Sequence, residues 1–255
     1  MIPPMIPGDD RGLLLSDGLF ETVLAEDGRL KWWSQHVERM TAGCHTLGLP
    51  APEPEALEEV ATAAIDGRLE PLAVRITWTA GSGDRGMVRP EPMSPRLFAS
   101  ASRVRLPAGP ISLVLSDVRR NEGSPTSQLK TLNYLDNVVA RARARTRGAD
   151  DALMLNNRGE VACVSAANIF WISDGVISTP AVQCGALAGV AGIHLMAAAR
   201  RLGVEARTVA APPEALRRAD AVFVTNSIIG VWPISRFEDV EFAQSPLVAA
   251  LAEGL

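Results

Sequence analysis

The sequence predicts an α/β (α+β) protein with two lobes. The chain has 255 residues, which is enough for one large domain or two small ones. Segments with helical spacing of apolar residues alternate with segments that resemble strands. The polar, turn-rich stretch 119–127 separates two parts of different texture and is the best linker candidate. We therefore expect a small N-terminal lobe, residues 1–118, and a larger C-terminal lobe, residues 119–255.

The N-terminal lobe should combine strands with two helices. Residues 13–24 resemble a turn followed by a strand, and Glu26-Asp27-Gly28 is typical of a hairpin turn. Apolar residues recur at helical spacing from Trp33 to Leu47, and Gly48 and Pro50 end that run. The remaining expected elements are a helix over 54–67 and strands over 72–79, 96–102 and 111–118.

The C-terminal lobe should begin with a helix and continue with paired strands. Leu132, Leu135, Val139 and Ala142 have the spacing of an apolar helix face. Turn residues favour short strand pairs around Arg158-Gly159 and Asp174-Gly175, helices over 189–202 and 213–218, and a strand over 221–224.

Composition excludes several classes of protein. The chain has 25 Lys and Arg against 29 Asp and Glu, a net charge of −4, which disfavours a general nucleic-acid binder. Hydrophobic residues at 47% and charged residues at 21% exclude intrinsic disorder and coiled coil. Residues 181–199 contain no charged side chain, but their Ala and Gly are poor lipid-facing residues. We expect a buried loop and helix there, and no membrane segment.

The cysteines and histidines do not follow the spacing of a metal site. Three cysteines (Cys44, Cys163, Cys184) and three histidines (His36, His45, His194) form no zinc pattern and no disulfide framework. Widely spaced cysteines in an odd number fit a reducing cytoplasm. Residues 1–10 have no basic region and contain prolines, so they do not resemble a signal peptide.

Lys130 is the first candidate for chemistry. Only Lys31 and Lys130 are lysines, and all other cationic side chains are arginines. A lysine amine that is partly desolvated can attack carbonyl groups and form a Schiff base. The alternative is an ordinary surface lysine at the start of a helix, although a helix N-terminus disfavours a cation. Lys31, which follows the expected hairpin turn, is interpreted only as an ordinary surface lysine.

An aldehyde cofactor with a phosphate would also need anion-binding groups. The candidates are Arg39 on the first long helix, the amides of Val190 and Ala191 after Gly189, and the Ser227 hydroxyl. A Gly-rich entry to a helix N-terminus can bind an anion through free N–H groups. Each candidate taken alone has an ordinary alternative, such as a solvated arginine or a plain loop.

Several motifs resemble those of the fold-type IV pyridoxal-phosphate enzymes. This family includes branched-chain aminotransferases, D-amino-acid aminotransferases and aminodeoxychorismate lyases. The similarity covers roughly residues 11–240. The segments, in chain order, are 17–22 (DGLFET), 36–40 (HVERM), 130–137 (KTLNYLDN), 148–153 (GADDAL), 166–170 (AANIF), 185–190 (GALAGV) and 225–227 (TNS).

The resemblance implies a two-lobed fold-type IV enzyme that binds pyridoxal 5'-phosphate. Lys130 would form the Schiff base, while Arg39, the amides of Val190 and Ala191, and Ser227 would bind the phosphate. The family consists of dimers with the cofactor between two lobes, so a homodimer is also implied.

Within the family, the sequence resembles the lyases most. Segments 81–86 (GSGDRG) and 225–233 (TNSIIGVWP) are similar to their glycine-rich loop and closing motif, and Ala191-Gly192 stands where aminotransferases usually have Thr-Arg. A branched-chain or D-amino-acid aminotransferase is the alternative activity.

Cys163 departs from the family pattern. A Glu usually stands five residues before the Asn of the Asn-x-Phe motif and holds a proton on the cofactor's ring nitrogen, but here that position is Cys163. Glu160 lies further back and should face the other side of an extended strand. A thiol makes no ion pair of this kind, which weakens the ring as an electron sink. The hypothesis is therefore a loss of transamination, or a catalytically altered or silent protein.

A lyase substrate with two carboxylates needs cationic partners. Arg85 in the glycine-rich segment is the candidate for a bidentate carboxylate contact, with a solvated loop arginine as the equal alternative. Tyr134 could contact the cofactor, although packing against the helix is the simpler role. His36 and His194 are expected to be structural.

Overall fold

The computed structural model describes residues 5–255, so the first four residues of the expected N-terminal lobe lie outside the described residues. The structure divides into two compact units. The first ends at Arg105 and also includes Leu129–Asn133. The second consists of Leu106–Gln128 and Tyr134–Leu255.

The first unit is a four-stranded antiparallel sheet with three helices. The strands have the order β2-β1-β3-β4. Asp27 and Gly28 both have positive φ, as the turn between β1 and β2 requires. Helix α2 ends at Gly48, a left-handed residue whose N–H caps the last carbonyls. The elements are α1 Arg11–Leu15, β1 Gly18–Glu26, β2 Arg29–Leu30, α2 Trp33–Leu47, α3 Pro54–Ile65, β3 Leu72–Thr79 and β4 Arg96–Arg103.

The second unit is built on a nine-stranded mixed sheet. Its order is β10-β9-β8-β11-β12-β5-β6-β7, and β13 pairs with β12. The pairs β9–β10, β5–β12 and β5–β6 are parallel and the others antiparallel. The elements are β5 Ile111–Leu115, α4 Leu135–Thr146, β6 Asp151–Leu155, β7 Val161–Val164, β8 Asn168–Ser173, β9 Val176–Pro180, α5 Val190–Arg201, β10 Ala206–Val209, α6 Glu214–Arg217, β11 Ala221–Asn226, β12 Gly230–Phe237, β13 Val240–Glu241 and α7 Pro246–Glu253.

Each unit has its own hydrophobic core. In the first, Val23, Leu57 and Ile76 from β1, α3 and β3 are almost fully buried in one cluster. In the second, Phe170 on β8 stacks on Phe223 of β11 with ring centroids 5.4 Å apart. Such a pair stabilises by about 1 kcal/mol beyond the area that it buries. These cores hold the strand ends and helix starts that carry the candidate functional residues.

The mixed α/β class is confirmed, while the units differ from the expected boundary at 118/119 in two places. Strand β5 pairs with β6 and β12, so it belongs to the second unit although the sequence placed it in the N-terminal lobe. The segment around Lys130 belongs to the first unit, because the Phe20 N–H donates to the Lys130 carbonyl at 2.9 Å. None of the helices within residues 5–255 is long and apolar enough to cross a bilayer.

Candidate functional site

Lys130 lies beside strand β1 in the first unit. Its neighbour Thr131 forms a bridge with Leu19, next to the hydrogen bond between the Phe20 N–H and the Lys130 carbonyl. The lysine side chain is half-buried, and Nζ lies 4.3 Å from the centroid of the Phe20 ring. The ring excludes water from one side of the amine and attracts its charged form. The backbone pairing therefore places the amine at a defined point next to a buried aromatic ring.

The expected position of Lys130 at a helix start is wrong. Helix α4 begins only at Leu135, and Lys130 lies before it in the turn that follows the short 3-10 helix Pro125–Gln128. Tyr134 is the N-cap residue of that helix and is half-buried. Residues 129–133 do not join the helix because they bond to β1 instead.

Arg39 is held by a buried carboxylate in the first unit. Its Nε and Nη2 donate to Glu21 Oε1 and Oε2 at 2.8 and 2.5 Å. His36, one helical turn before Arg39 on α2, has Nδ1 at 2.7 Å from Glu21 Oε2. An ionised carboxylate only accepts hydrogen bonds, so His36 Nδ1 donates. This two-point grip fixes the plane of the Arg39 guanidinium.

The ionised form of Glu21 is strongly favoured. Burial alone raises the pKa of this carboxyl, but the charge of Arg39 and the hydrogen bonds from His36 and Arg39 outweigh it and lower the pKa to about 2. The Glu21 side chain is 3% exposed and that of Arg39 17%. A buried anion thus holds a cation that still reaches the surface of the unit, as an anion-binding arginine requires.

Arg85 lies in the loop between β3 and β4, residues 80–95. It is exposed and forms no ion pair with any side chain in residues 5–255. The flanking arginines of the unit differ from it. Arg11 and Arg89 both donate to Asp17, whose pKa burial would raise but the two arginine hydrogen bonds lower. Arg85 is therefore the cation of this loop that can meet a ligand.

Helix α5 begins in the second unit without a capping side chain. Its N-cap is Gly189, no side chain within residues 5–255 makes a capping hydrogen bond there, and the first turn contains no acidic residue. The first N–H groups of a helix have no partner within the helix, and Val190 and Ala191 are 2% and 1% exposed. Buried amides of this kind attract an anion.

Asn168 shapes this helix start. Its Nδ2 donates to the Leu187 carbonyl at 2.8 Å. A Cβ added to Gly189 would lie 1.9 Å from Asn168 Oδ1, so no larger residue fits there. The Asn of the Asn-x-Phe motif therefore positions the loop that leads into the amides of Val190 and Ala191.

Ser227 lies in the turn between β11 and β12. Asn226 Oδ1 accepts from the N–H groups of Ile228 and Ile229 at 2.9 and 3.0 Å, which shapes the turn. Ser227 is half-buried. The neighbouring Thr225 Oγ1 is fully buried and has no hydrogen-bond partner in the described part of the chain. An unpaired buried hydroxyl is costly, so a ligand that accepts or donates there is favoured.

Cys163 lies on β7, opposite Met154 of β6, and is 8% exposed. Burial raises the pKa of this thiol to about 11, although the nearby charge of Arg120 acts in the opposite direction. The thiol is therefore neutral near pH 7. Glu160 bonds to Asn156 and Arg158 instead, which keeps its carboxylate occupied.

The remaining cysteines are buried and free, as is Cys163. Within residues 5–255, no three Cys, His, Asp or Glu side chains come together in a way that could hold a metal ion.

The residues fit a phosphorylated aldehyde. In the first unit, a half-buried lysine amine and an arginine held by a carboxylate match an aldehyde and a phosphate. In the second, the uncapped amides of α5 and the unpaired Thr225 hydroxyl match a phosphate as well. These are the groups that pyridoxal phosphate needs.

Comparison with known proteins agrees with the geometry. The family model for amino-transferase class IV matches residues 18–237. The chain belongs to the class IV aminotransferase family. Members of this family are pyridoxal-phosphate-dependent enzymes. The resemblance found in the sequence and the prediction of an enzyme are therefore confirmed.

Relatives in this family have different reactions. An aminodeoxychorismate lyase of Bacillus subtilis is 28% identical over 240 residues, covering 91% of this chain and 82% of its own. A Methanocaldococcus jannaschii protein described as a branched-chain-amino-acid aminotransferase is 28% identical over 234 residues, covering 88% and 80%. A D-alanine aminotransferase of Listeria monocytogenes is 29% identical over 260 residues, covering 95% and 87%.

A solved structure agrees with the fold over nearly all of the chain. A Legionella pneumophila protein described as a 4-amino-4-deoxychorismate lyase superposes with a TM-score of 0.91 at 26% identity. The match covers 98% of this chain and 94% of that one. The fold-type IV architecture is thus confirmed.

Sequence reasoning missed three contributors to the candidate site. The sequence predicts no role for Glu21 and only a structural one for His36, yet Glu21 holds Arg39 and His36 bonds to Glu21. Asn168 was only a landmark, yet it bonds to the loop before α5. The sequence offers one signal for Glu21, which is a carboxylate within a strand. A buried charge needs a partner, so such a carboxylate predicts one.

Proposed function

We propose that this chain is a pyridoxal-phosphate-dependent lyase that converts 4-amino-4-deoxychorismate to 4-aminobenzoate and pyruvate. The observation that carries the proposal is the buried, neutral thiol of Cys163. A thiol with a pKa of about 11 can donate a hydrogen bond to a ring nitrogen, but it forms no ion pair with a protonated one. A weaker electron sink suits a reaction that aromatisation drives better than it suits transamination.

Different residues of the chain bind the aldehyde and the phosphate of the cofactor in this proposal. When bound, pyridoxal phosphate supplies an aldehyde that reacts with amines and a ring that withdraws electrons. We assign its covalent attachment to Lys130. We assign its phosphate to Arg39, to the amides of Val190 and Ala191, and to Ser227.

Two residues act on the substrate in this proposal. After the substrate's amino group has displaced it, Lys130 Nζ removes the proton from the ring carbon that bears that amino group. The bond between the ring and the enolpyruvyl oxygen then breaks, enolpyruvate leaves and becomes pyruvate, and the ring becomes aromatic. No oxidant or reductant is needed. Arg85 binds a substrate carboxylate through two parallel N–H bonds.

The decisive experiment measures pyruvate from 4-amino-4-deoxychorismate with no 2-oxo acid present. The purified protein, supplied with pyridoxal phosphate, should release pyruvate and 4-aminobenzoate in equal amounts. Lys130→Ala should abolish release, while Lys31→Ala should retain it. Because the chain has only these two lysines, borohydride reduction followed by peptide mass spectrometry assigns the attachment site without relying on activity. Labelling of Lys31 would contradict the proposal.

A second candidate is an aminotransferase for D-amino or branched-chain amino acids. It is favoured by the D-alanine aminotransferase relative, which is 29% identical to the chain. It would use the same Lys130 and Arg39 but require a 2-oxo acid acceptor. If the protein transfers an amino group from D-alanine or leucine to 2-oxoglutarate and releases no pyruvate from aminodeoxychorismate, the aminotransferase replaces the lyase as the proposed function. A protein that does neither is the catalytically silent member that Cys163 also allows.

We also propose that the enzyme works as a homodimer in the cytoplasm. The family resemblance supports the homodimer, and the three free cysteines support the cytoplasm. Light scattering coupled to gel filtration should give twice the chain mass of 27.1 kDa. A monomer that retains full activity would refute the dimer.

A further inference from the structure

Arg11 is a buried arginine with its guanidinium enclosed by the β3–β4 loop. It is 3% exposed. Nη1 donates to the carbonyls of Gly86 and Val88 at 3.2 Å each, and Nη2 donates to that of Met87 at 3.1 Å. One side chain thus bonds to three consecutive backbone carbonyls. Those three loop residues are themselves exposed.

The same guanidinium is tied to strand β1 through Asp17. Arg11 Nε donates to Asp17 Oδ2 at 2.9 Å. Arg89, at the far end of the carbonyl run, donates to both oxygens of the same carboxylate at 3.0 and 2.6 Å. Asp17 immediately precedes β1, the strand that contains Phe20 and Glu21. The loop is therefore fastened at two points to the strand beside Lys130.

Arg85 lies directly before the fastened carbonyls. A Cβ added to Gly83 would lie 3.2 Å from Arg11 Cδ, so the backbone before Arg85 also packs on the Arg11 side chain. The chain is thus held on both sides of Arg85, while Arg85 itself is exposed. Holding the backbone of a binding residue in place lowers the entropy lost on binding.

We propose that Arg11 is a positioning residue, which holds the β3–β4 loop so that Arg85 can bind a carboxylate of the substrate. This inference rests on the proposed function for the identity of the ligand. The ion pair with Asp17 orients the Arg11 fork, and the fork holds carbonyls 86–88. A lysine cannot reproduce this, because a single ammonium lacks the planar set of donors.

The first test follows the loop itself. Trypsin cleaves after arginine, so the Arg85–Gly86 bond reports opening of the loop, measured as the appearance of the new N-terminus at Gly86. Arg11→Gln should accelerate this cleavage at least tenfold, because local opening exposes the bond. Arg68→Gln is the matched control. Arg68 also donates to backbone carbonyls, of Ile65 and Ala64, but at the end of α3. Its removal should leave cleavage at Arg85 unchanged.

The second test follows the ligand. The Kd for 4-aminobenzoate should rise about tenfold in Arg11→Gln and in Arg85→Gln. The double variant should bind 4-aminobenzoate no more weakly than Arg85→Gln alone. In turnover assays the KM should rise with little change in kcat, whereas general damage lowers both kcat and cofactor binding. Arg11→Lys retains a charge next to Asp17 and should show the same pattern if Arg11→Gln does not fold.

The outcomes separate this inference from the proposed function. Unchanged cleavage at Arg85 in the Arg11 variants overturns it, whatever the activity. Faster cleavage with an unchanged Kd, or additive losses in the double variant, also overturns it. Cleavage is measured without any ligand, so a wild-type protein that releases no pyruvate refutes the lyase and leaves the cleavage reading decisive.

Discussion

Replacing Glu21 with glutamine tests the buried ion pair that holds Arg39. The pKa of Glu21 is about 2 in the folded protein, against an ordinary value of 4.5. At about 1.4 kcal/mol for each pKa unit, the ionised carboxylate stabilises the folded state by about 3 kcal/mol. Removing one partner of a buried ion pair costs about 3–5 kcal/mol, which agrees with this value. We therefore expect the Glu21→Gln variant to have a free energy of unfolding about 3 kcal/mol lower than wild type at pH 7.

The sign of the pH dependence follows from the lowered pKa. A carboxyl with a lowered pKa stabilises the protein fully above its unfolded pKa, and that stabilisation is lost as the pH falls through the folded one. For Glu21 this window runs from 4.5 down to about 2. The difference between wild type and Glu21→Gln should therefore shrink to less than half at pH 3.

Urea unfolding followed by tryptophan fluorescence measures both effects. The matched control is Glu70→Gln, because Glu70 also pairs with an arginine, Arg103, but the two side chains are 36% and 81% exposed. An exposed pair of this kind contributes little, because water screens both charges. The reasoning is refuted if Glu21→Gln costs no more than Glu70→Gln, or if its cost is the same at pH 3 as at pH 7.

Three further predictions concern the second unit. Gly189→Ala should weaken cofactor binding at least tenfold in an equilibrium titration, because the new Cβ would lie 1.9 Å from Asn168 Oδ1. Gly109→Ala is the control and should leave cofactor binding unchanged, because no atom beyond its chain neighbours in residues 5–255 lies within 4 Å of its new Cβ. Thr225→Val should leave the cofactor-free protein as stable or up to about 1 kcal/mol more stable in thermal unfolding, because it removes an unpaired buried hydroxyl. The same variant should bind the cofactor more weakly if that hydroxyl meets the ligand, and equal affinity would remove Thr225 from the site. Cys163→Glu should change the absorbance of the bound cofactor and raise transamination relative to pyruvate release, and an unchanged spectrum with both activities unchanged would sink the proposed role of the thiol.

Regular elements with strong local signals were predictable. The expected helix from Trp33 to Leu47 is confirmed at both ends, since a periodic apolar face and a following glycine are local properties. The turn at Asp27-Gly28 is confirmed for the same reason. The strand expected over 111–118 ends at Leu115, and the helix expected from Leu132 begins at Leu135. The end of this strand and the start of this helix depend on pairing with distant segments. The spacing of apolar residues contains no information about that pairing.

The sequence by itself determined the α/β class, the family motifs and the choice of Lys130 as the candidate amine. All three depend only on residue types and on short spacings along the chain. Tertiary structure alone decided which groups meet. Glu21 bonds to Arg39 across 18 residues of chain, and Arg11 bonds to Met87 across 76. It also moved the Lys130 segment from the C-terminal lobe to the first unit, through a hydrogen bond to Phe20. Such contacts depend on the packing of several elements at once, and a buried charge shows its partner only after the fold has placed both.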